Sequence, residues 1–305
     1  MPGSWGIPLI REEGMEYPFK QIKQIFENSD LNMCNLEVPV TTNPDTFPNK
    51  TFHFKIPPDF VQLLHVLPIH YVTLANNHIL DYQVKGLLET MDILNQNKVA
   101  FSGAGQNLEQ AARPVIIEKS GYKVGIIAAG AIFPKEFWAT DTSAGIFFPW
   151  KEKLIHVVDS TRKIVDLLFV TFHWGAEKRT TPKNYQISLA HQVIKHGADV
   201  VWGHHPHVIQ GIEFYRGKPI FYSLGNFIFA SYSKTQTGMV VKMKFVKNNI
   251  GDIEIIPLEL DNDPPLQPSV LTDESRNIFI KNLNSLSDSL NSRPILIGND
   301  LRLKF

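Results

Sequence analysis

Five of the eleven histidines fall in three short segments, each closing an apolar run: Ala75-Asn76-Asn77-His78, Phe172-His173-Trp174-Gly175 and Gly203-His204-His205-Pro206-His207. A fourth apolar run, ending Asn35-Leu36-Glu37, closes on a carboxylate. Imidazoles, an amide and a carboxylate delivered from several strand ends are the donor set of a divalent-metal site. Neutral imidazole suits zinc and iron, and the oxygen donors admit manganese as well. The chemistry indicated is metal-assisted, with one or two ions.

Each segment has a local logic. Pro206 disfavours a helical conformation at His205 and favours an extended one. In extended chain, residues i and i+2 share a face, so His205 and His207 are expected to converge while His204 points elsewhere, as a ligand or supporting donor. A polar turn with incidental histidines is the alternative, and three imidazoles in four positions weigh against it. His173 follows the run Leu167 to Phe172, at a strand's carboxyl end where α/β sites collect; alone it would read as a hydrogen-bonded core histidine. Asn77 offers an amide oxygen to the ion, which leaves His78 for substrate. Asp81, three residues on, is placed to accept the His78 proton and fix its tautomer, unless it merely caps a helix. Glu37 would ordinarily be a solvated strand exit. It is taken as a ligand because ions facing only neutral imidazoles would be under-neutralised.

At 305 residues the chain can bury a large α/β core. Lys+Arg 30 balances Asp+Glu 30, so no electrostatic case exists for a nucleic-acid or anionic-membrane partner. Cys34, the single cysteine, excludes an intramolecular disulfide and a cysteine-rich structural zinc site, and its apolar context reads as burial. No run approaches the ~20 apolar residues of a membrane span, and Met1 to Trp5 lacks the basic start of a signal peptide. As written, the chain is expected to be cytoplasmic; a true start further upstream would make it membrane-associated or extracytoplasmic.

The elements that must carry these residues alternate along the first two thirds. Helical spacing is expected over 18–29, 57–67 and 84–94, with strands over 31–36 and 69–75. A hairpin at 114–118 and 123–129 precedes a loop over 130–149. A helix near 150–164, a strand over 166–172, and a helix near 183–196 stopped by Gly197 come next, followed by a strand over 199–202. Strands at 208–215, 218–223, 238–246 and 252–260 then follow one another. That order suggests two sheets with helices outside. Residues 1–262 are expected to form the main domain and 263–305 a proline-rich linker and helical tail. Gly103-Ala104-Gly105 lacks the surroundings of a phosphate loop, and Ser223 lacks those of a nucleophile elbow. Asn226, after the strand ending at Ser223, is placed to line the site. Trp138, Trp150 and Phe147-Phe148 read as packing.

In order, Asn35-Leu36-Glu37-Val38-Pro39, Ala75-Asn76-Asn77-His78-Ile79-Leu80-Asp81, Ser102-Gly103-Ala104-Gly105, His173-Trp174-Gly175, Gly203-His204-His205-Pro206-His207-Val208 and Tyr222-Ser223-Leu224-Gly225-Asn226-Phe227 resemble the CapA family of poly-γ-glutamate capsule biosynthesis proteins. That family is a branch of the calcineurin-like metallophosphoesterase superfamily, and the resemblance spans about residues 15–230. It implies two facing mixed β-sheets flanked by helices. It also implies Glu37 as bridging carboxylate, Asn77, His173 and His205 on one ion and His207 on the other, with His78 as the substrate-contacting histidine. The implied chemistry is attack of a metal-activated hydroxide on a phosphoester or a polyanionic polymer, with His78 assisting the leaving oxygen, in the setting of capsule-synthesis machinery. A non-catalytic binding or assembly role in polymer synthesis or export is the competing implication. The sequence departs from the family at its start, where a first strand normally ends in Gly-Asp. The nearest counterpart is Gly3-Ser4, so either Ser4 replaces the acid or that strand, apparently truncated here, lies upstream.

Overall fold

Leu167–His173 is buried at all seven positions, as a run of apolar and β-branched residues must be when helices and a second sheet cover both its faces. It lies at the centre of a six-stranded mixed sheet. From one edge the strands run Ile212–Tyr215, Lys218–Phe221, Val200–His204, Leu167–His173, Tyr122–Gly130 and Val115–Lys119, parallel in the middle and antiparallel at both edges. A smaller parallel sheet sets Met33–Asn35 beside Tyr71–Thr73 beside Ala100–Ser102. A long antiparallel hairpin, Gln236–Val246 with Asn249–Leu260, carries Ser269–Val270 on its far edge. The computed structural model describes the chain apart from residues 1–2, 230–235, 261–264, 292–295, 298–299 and 305.

Three apolar layers hold these sheets together. Val124, Ile126, Leu167, Phe169 and Val200 of the large sheet pack with Tyr71 of the small sheet and with Met239, Ile253 and Ile255 of the hairpin. On the large sheet's other face, Leu154, Val157 and Val158 of helix Lys151–Arg162 and Ala190 and Val193 of helix Asn184–Lys195 cover Leu168, Val170 and Val201. Helix Gln83–Gln96 covers the small sheet with Leu87, Met91 and Leu94. The expected α/β arrangement of packed sheets with helices outside is observed, the large sheet being mixed and the small one parallel.

Several local expectations change. The helix over 18–29 is instead a 3₁₀ turn, Tyr17–Phe19, and a short helix, Gln24–Glu27, joined by turns bonded three residues apart. A spacing of three keeps Phe19, Ile22 and Ile25 on one side as well as an α-helix would, so the apolar pattern did not separate the two. Val84 is 43% exposed, although its spacing placed it on an inner face. Gly3–Glu13 is helical, so Ser4 does not end a strand. The start of the expected linker, 263–264, falls outside the described residues, as do the last two residues of the expected main domain. The helix Asp273–Asp288 beyond it sends Phe279, Ile280 and Leu283 into the layer between the sheets, and Ser287 Oγ accepts the Ile212 N–H.

Candidate metal centre

Parallel register brings the chemistry to one end. His173 and His204 are the last residues of adjacent parallel strands and pair directly, with Gly130 opposite His173 on the other side. In the small sheet, Met33–Asn35 and Tyr71–Thr73 also run together, so Glu37 and Asn77 leave the fold side by side. His173 Nε2 lies 2.8 Å from Asn77 Oδ1, 3.1 Å from His205 Nδ1 and 3.4 Å from Glu37 Oε1. His207 Nε2 lies 3.8 Å from the same Glu37 oxygen. One ligand atom each from Glu37, His205 and His207 falls within 4.8 Å of the others. All five expected ligands therefore meet, and Glu37 Oε1 stands between His173 and His207, as a bridging carboxylate would.

The electrostatics suit a cation. Burial holds His173 well below its ordinary pKa and pushes His205 down to about 4, each helped by neighbouring histidines, while burial alone takes His204 to about 3. These imidazoles are neutral near pH 7 and present lone pairs. Glu37 Oε1 is buried among them with no hydrogen-bond partner. A buried carboxylate oxygen facing unprotonated ring nitrogens is costly unless a cation joins it. The donor set fits a divalent ion of the zinc, iron or manganese type. A pH dependence follows for the ion-free chain. In the unfolded chain these histidines take up protons below about 6.5, and in the folded chain only at lower pH, about 4 for His205 and about 3 for His204, so stability falls as pH drops below about 6.5. Thermal melts of chelator-treated protein from pH 7 to pH 4 should show a steadily falling Tm, with a smaller fall in His204→Gln than in the parent.

Amides hold these side chains in place. Asn35 Nδ2 donates to Glu37 Oε2 at 2.8 Å, leaving Oε1 for the centre. Asn76, fully buried, donates to Asn35 Oδ1 and to the Leu36 carbonyl and accepts the His78 N–H, stitching one strand exit to the other. Asn226 Oδ1 lies 2.8 Å from His207 Nδ1, which puts the ring proton there and frees Nε2 toward Glu37. His204 joins none of these contacts; its Nε2 is buried and unpartnered at the wall of an adjoining cavity. Asn35 and Asn76 gave a readable but unused signal, since each is an amide in an otherwise apolar strand exit.

The histidine-rich segment converges by another route than expected. His205 and His207 adopt φ of 99° and 58°, so both lie in the left-handed region rather than in extended chain. Their rings still approach to 6.1 Å between centroids. Strained backbone of this kind costs about 1–3 kcal/mol per residue and tends to sit at functional sites. Gly203 is obligatory just before it, because a Cβ there would lie 2.2 Å from the Tyr222 carbonyl oxygen and 2.3 Å from Trp174 Nε1. Trp174, stacked between Phe172 and Tyr222, thus sets the height of the segment. Gly103 is a packing glycine wedged against Ala75 and Ala128, not a phosphate cradle.

Beside the centre, His78 Nδ1 lies 2.7 Å from Asp81 Oδ2, which turns Nε2 outward. Asp81 is fully buried and caps no helix; Tyr82 occupies the N-cap of Gln83–Gln96. Asp81 also accepts the Phe54 N–H at 2.7 Å and binds the ammonium of Lys50. Lys50 sits in a loop without any recognisable motif, and no feature of the sequence marked it.

A cavity of about 710 Å³ opens from this end, lined by Glu37, His78, His205 and His207 and, deeper, by apolar residues such as Phe169 and Met239. It separates Met33–Asn35 from Gln236–Val246. Among the described residues neither strand has a neighbouring strand on the edge facing the other, apart from a single bridge between Gly225 and Gly238. Met33, Cys34 and Asn35 are for that reason only half-buried despite their central position. Among the described residues no helix is long and apolar enough to cross a membrane.

Comparison with known proteins agrees with this architecture. The chain is 30% identical to the PGA biosynthesis protein CapA of Bacillus subtilis (strain 168), over 87% of its own length and 70% of the relative's. It is 27% identical to the capsule biosynthesis protein CapA of Bacillus anthracis, over 88% and 67%. Among solved structures, a hypothetical protein from Thermus thermophilus superposes with a TM-score of 0.51 at 13% identity, covering 81% of this chain and 95% of that one, which supports the fold alone. The model of the family described as bacterial capsule synthesis protein PGA_cap matches residues 5–231, and the chain belongs to that family.

Proposed function

We propose that the chain is a metal-dependent phosphoester hydrolase working in capsule polymer synthesis, with Glu37, Asn77, His173, His205 and His207 as ion ligands and His78 as the group that meets the leaving oxygen. The observation that carries this reading is the buried, unpartnered Glu37 Oε1 facing His173 and His207, with the His78–Asp81 pair beside it. A bound divalent ion supplies Lewis acidity toward a phosphoryl oxygen and lowers the pKa of water. The chain's own groups do the rest. Asp81 accepts the Nδ1–H of His78 and supports its imidazolium form, in which Nε2–H faces the cavity and gives its proton to the departing oxygen, leaving His78 neutral. Zinc, iron and manganese all fit the donors. A phosphoester, free or within a polyanionic polymer, is the substrate class, and the capsule-synthesis machinery is the partner. The test is hydrolysis of bis-p-nitrophenyl phosphate with and without added manganese, where activity absent under every metal rejects the reading.

A second reading is favoured by one specific observation: the described donor set holds a single carboxylate, and Ser4 lies in a helix. A centre with one acid and neutral imidazoles neutralises one divalent ion better than two. About one tightly bound ion per chain is therefore expected, measured by isothermal titration of chelator-treated protein with zinc or manganese. Two equally tight sites would require a second acidic ligand. With one ion, turnover should be slow, because the clamp on both attacking and leaving oxygens is incomplete. A binding or assembly role becomes the better account if the loaded chain is inert.

A further inference from the structure

We propose that Lys50 is a positioning residue for His78, a role that rests on the hydrolase reading above. Its ammonium is largely buried and donates to two groups of one turn, the Asn77 carbonyl and Asp81 Oδ1, and it passes 3.2 Å from His78 Nδ1, whose own proton goes to Asp81. The ring of Phe137 lies 5.3 Å away on another side. Asp81 has no exposure to water, so its charge requires an internal counter-ion, and Lys50 is the cation the fold provides.

The geometry divides the carboxylate's work between its two oxygens. Lys50 takes Oδ1; Oδ2 accepts from the Phe54 N–H and from His78 Nδ1. With Oδ1 anchored, the carboxylate plane cannot rotate, and Oδ2 stays aimed at the imidazole. The same ammonium grips the Asn77 carbonyl, so the backbone between the ion ligand and the substrate-facing histidine is fixed at both ends. The loop that brings Lys50 here is itself tied down: the Phe47 N–H donates to the Asp81 carbonyl and Gln83 Nε2 to the Thr46 carbonyl. On the same loop Phe54 lays its ring 4.7 Å from that of His78, limiting the ring's swing from the other side. Lys50 touches none of the ion-facing atoms, which separates its role from ligation.

The experiment compares the full chain with Lys50→Ala. In the manganese-loaded protein kcat on bis-p-nitrophenyl phosphate should fall about 30-fold, KM should change less than about 3-fold, and metal content should equal that of the parent. Added propylammonium should recover part of the lost kcat in Lys50→Ala and do nothing to the parent. A second readout needs no turnover. The His78 ring Cε1–H resonance, identified by its absence in His78→Ala, should be one sharp line in the parent and split or broadened in Lys50→Ala. An unchanged His78 line, or a fall in metal content matching the fall in kcat, overturns the proposal. An inert parent rejects the hydrolase reading instead, and the resonance then still decides whether Lys50 orders the imidazole.

Discussion

His173→Ala and His205→Ala should each leave the purified chain with less than about a tenth of the metal carried by the parent, a loss at least as large as that from a missing supporting group. His173 Nε2 lies within 3.4 Å of Asn77 Oδ1, His205 Nδ1 and Glu37 Oε1. Removing it deletes a ligand and leaves Glu37 Oε1 facing a void. Loss of a direct ligand costs far more than loss of a supporting hydrogen bond, which typically lowers affinity by about 10–100-fold. Asn226→Ala provides that smaller comparison, since it only orients His207. Elemental analysis of the parent and the three variants after identical purification gives the ranking. Equal metal in His173→Ala, His205→Ala and parent would mean that the ion binds elsewhere.

His78→Ala should produce the opposite pattern, with turnover lowered by about 100-fold or more and metal content unchanged, because proton transfer by a placed side chain contributes roughly 10²–10⁴ to rate. Among the described residues the side chain of His78 contacts Asp81, Lys50 and the Phe54 ring, and it has no hydrogen bond to Glu37, Asn77, His173, His205 or His207 side chains. Steady-state hydrolysis alongside elemental analysis separates the two effects. Should metal and turnover fall together, His78 belongs with the ligands.

The meeting of these side chains was legible because rare polar residues close apolar runs at strand ends. Three imidazole-bearing segments and one carboxylate, each after an apolar run, can hardly be arranged in a parallel fold without meeting at its carboxyl end. Strand positions were legible for a related reason: burial on both faces writes continuous apolar runs such as Leu167 to Phe172. Backbone conformation was less so. Pro206 disfavours a helical conformation at His205, yet the fold places His205 at φ of 99°, which a local preference did not reveal. Lys50 was invisible because an ammonium in a polar loop looks solvated until the fold reveals what it touches. The helix Gly3–Glu13 was likewise unmarked, with Pro8 inside it.

The left-handed backbone at His205 sets thermal robustness against ion binding at a single position. Glycine adopts φ of 99° without steric penalty, whereas histidine is held there by its surroundings. His205→Gly would relax the loop while removing a proposed ligand, so the ion-free variant is expected to melt higher than the parent while binding the proposed ion less well. Selection for heat resistance alone would drift this loop toward glycine, against the binding role proposed for His205.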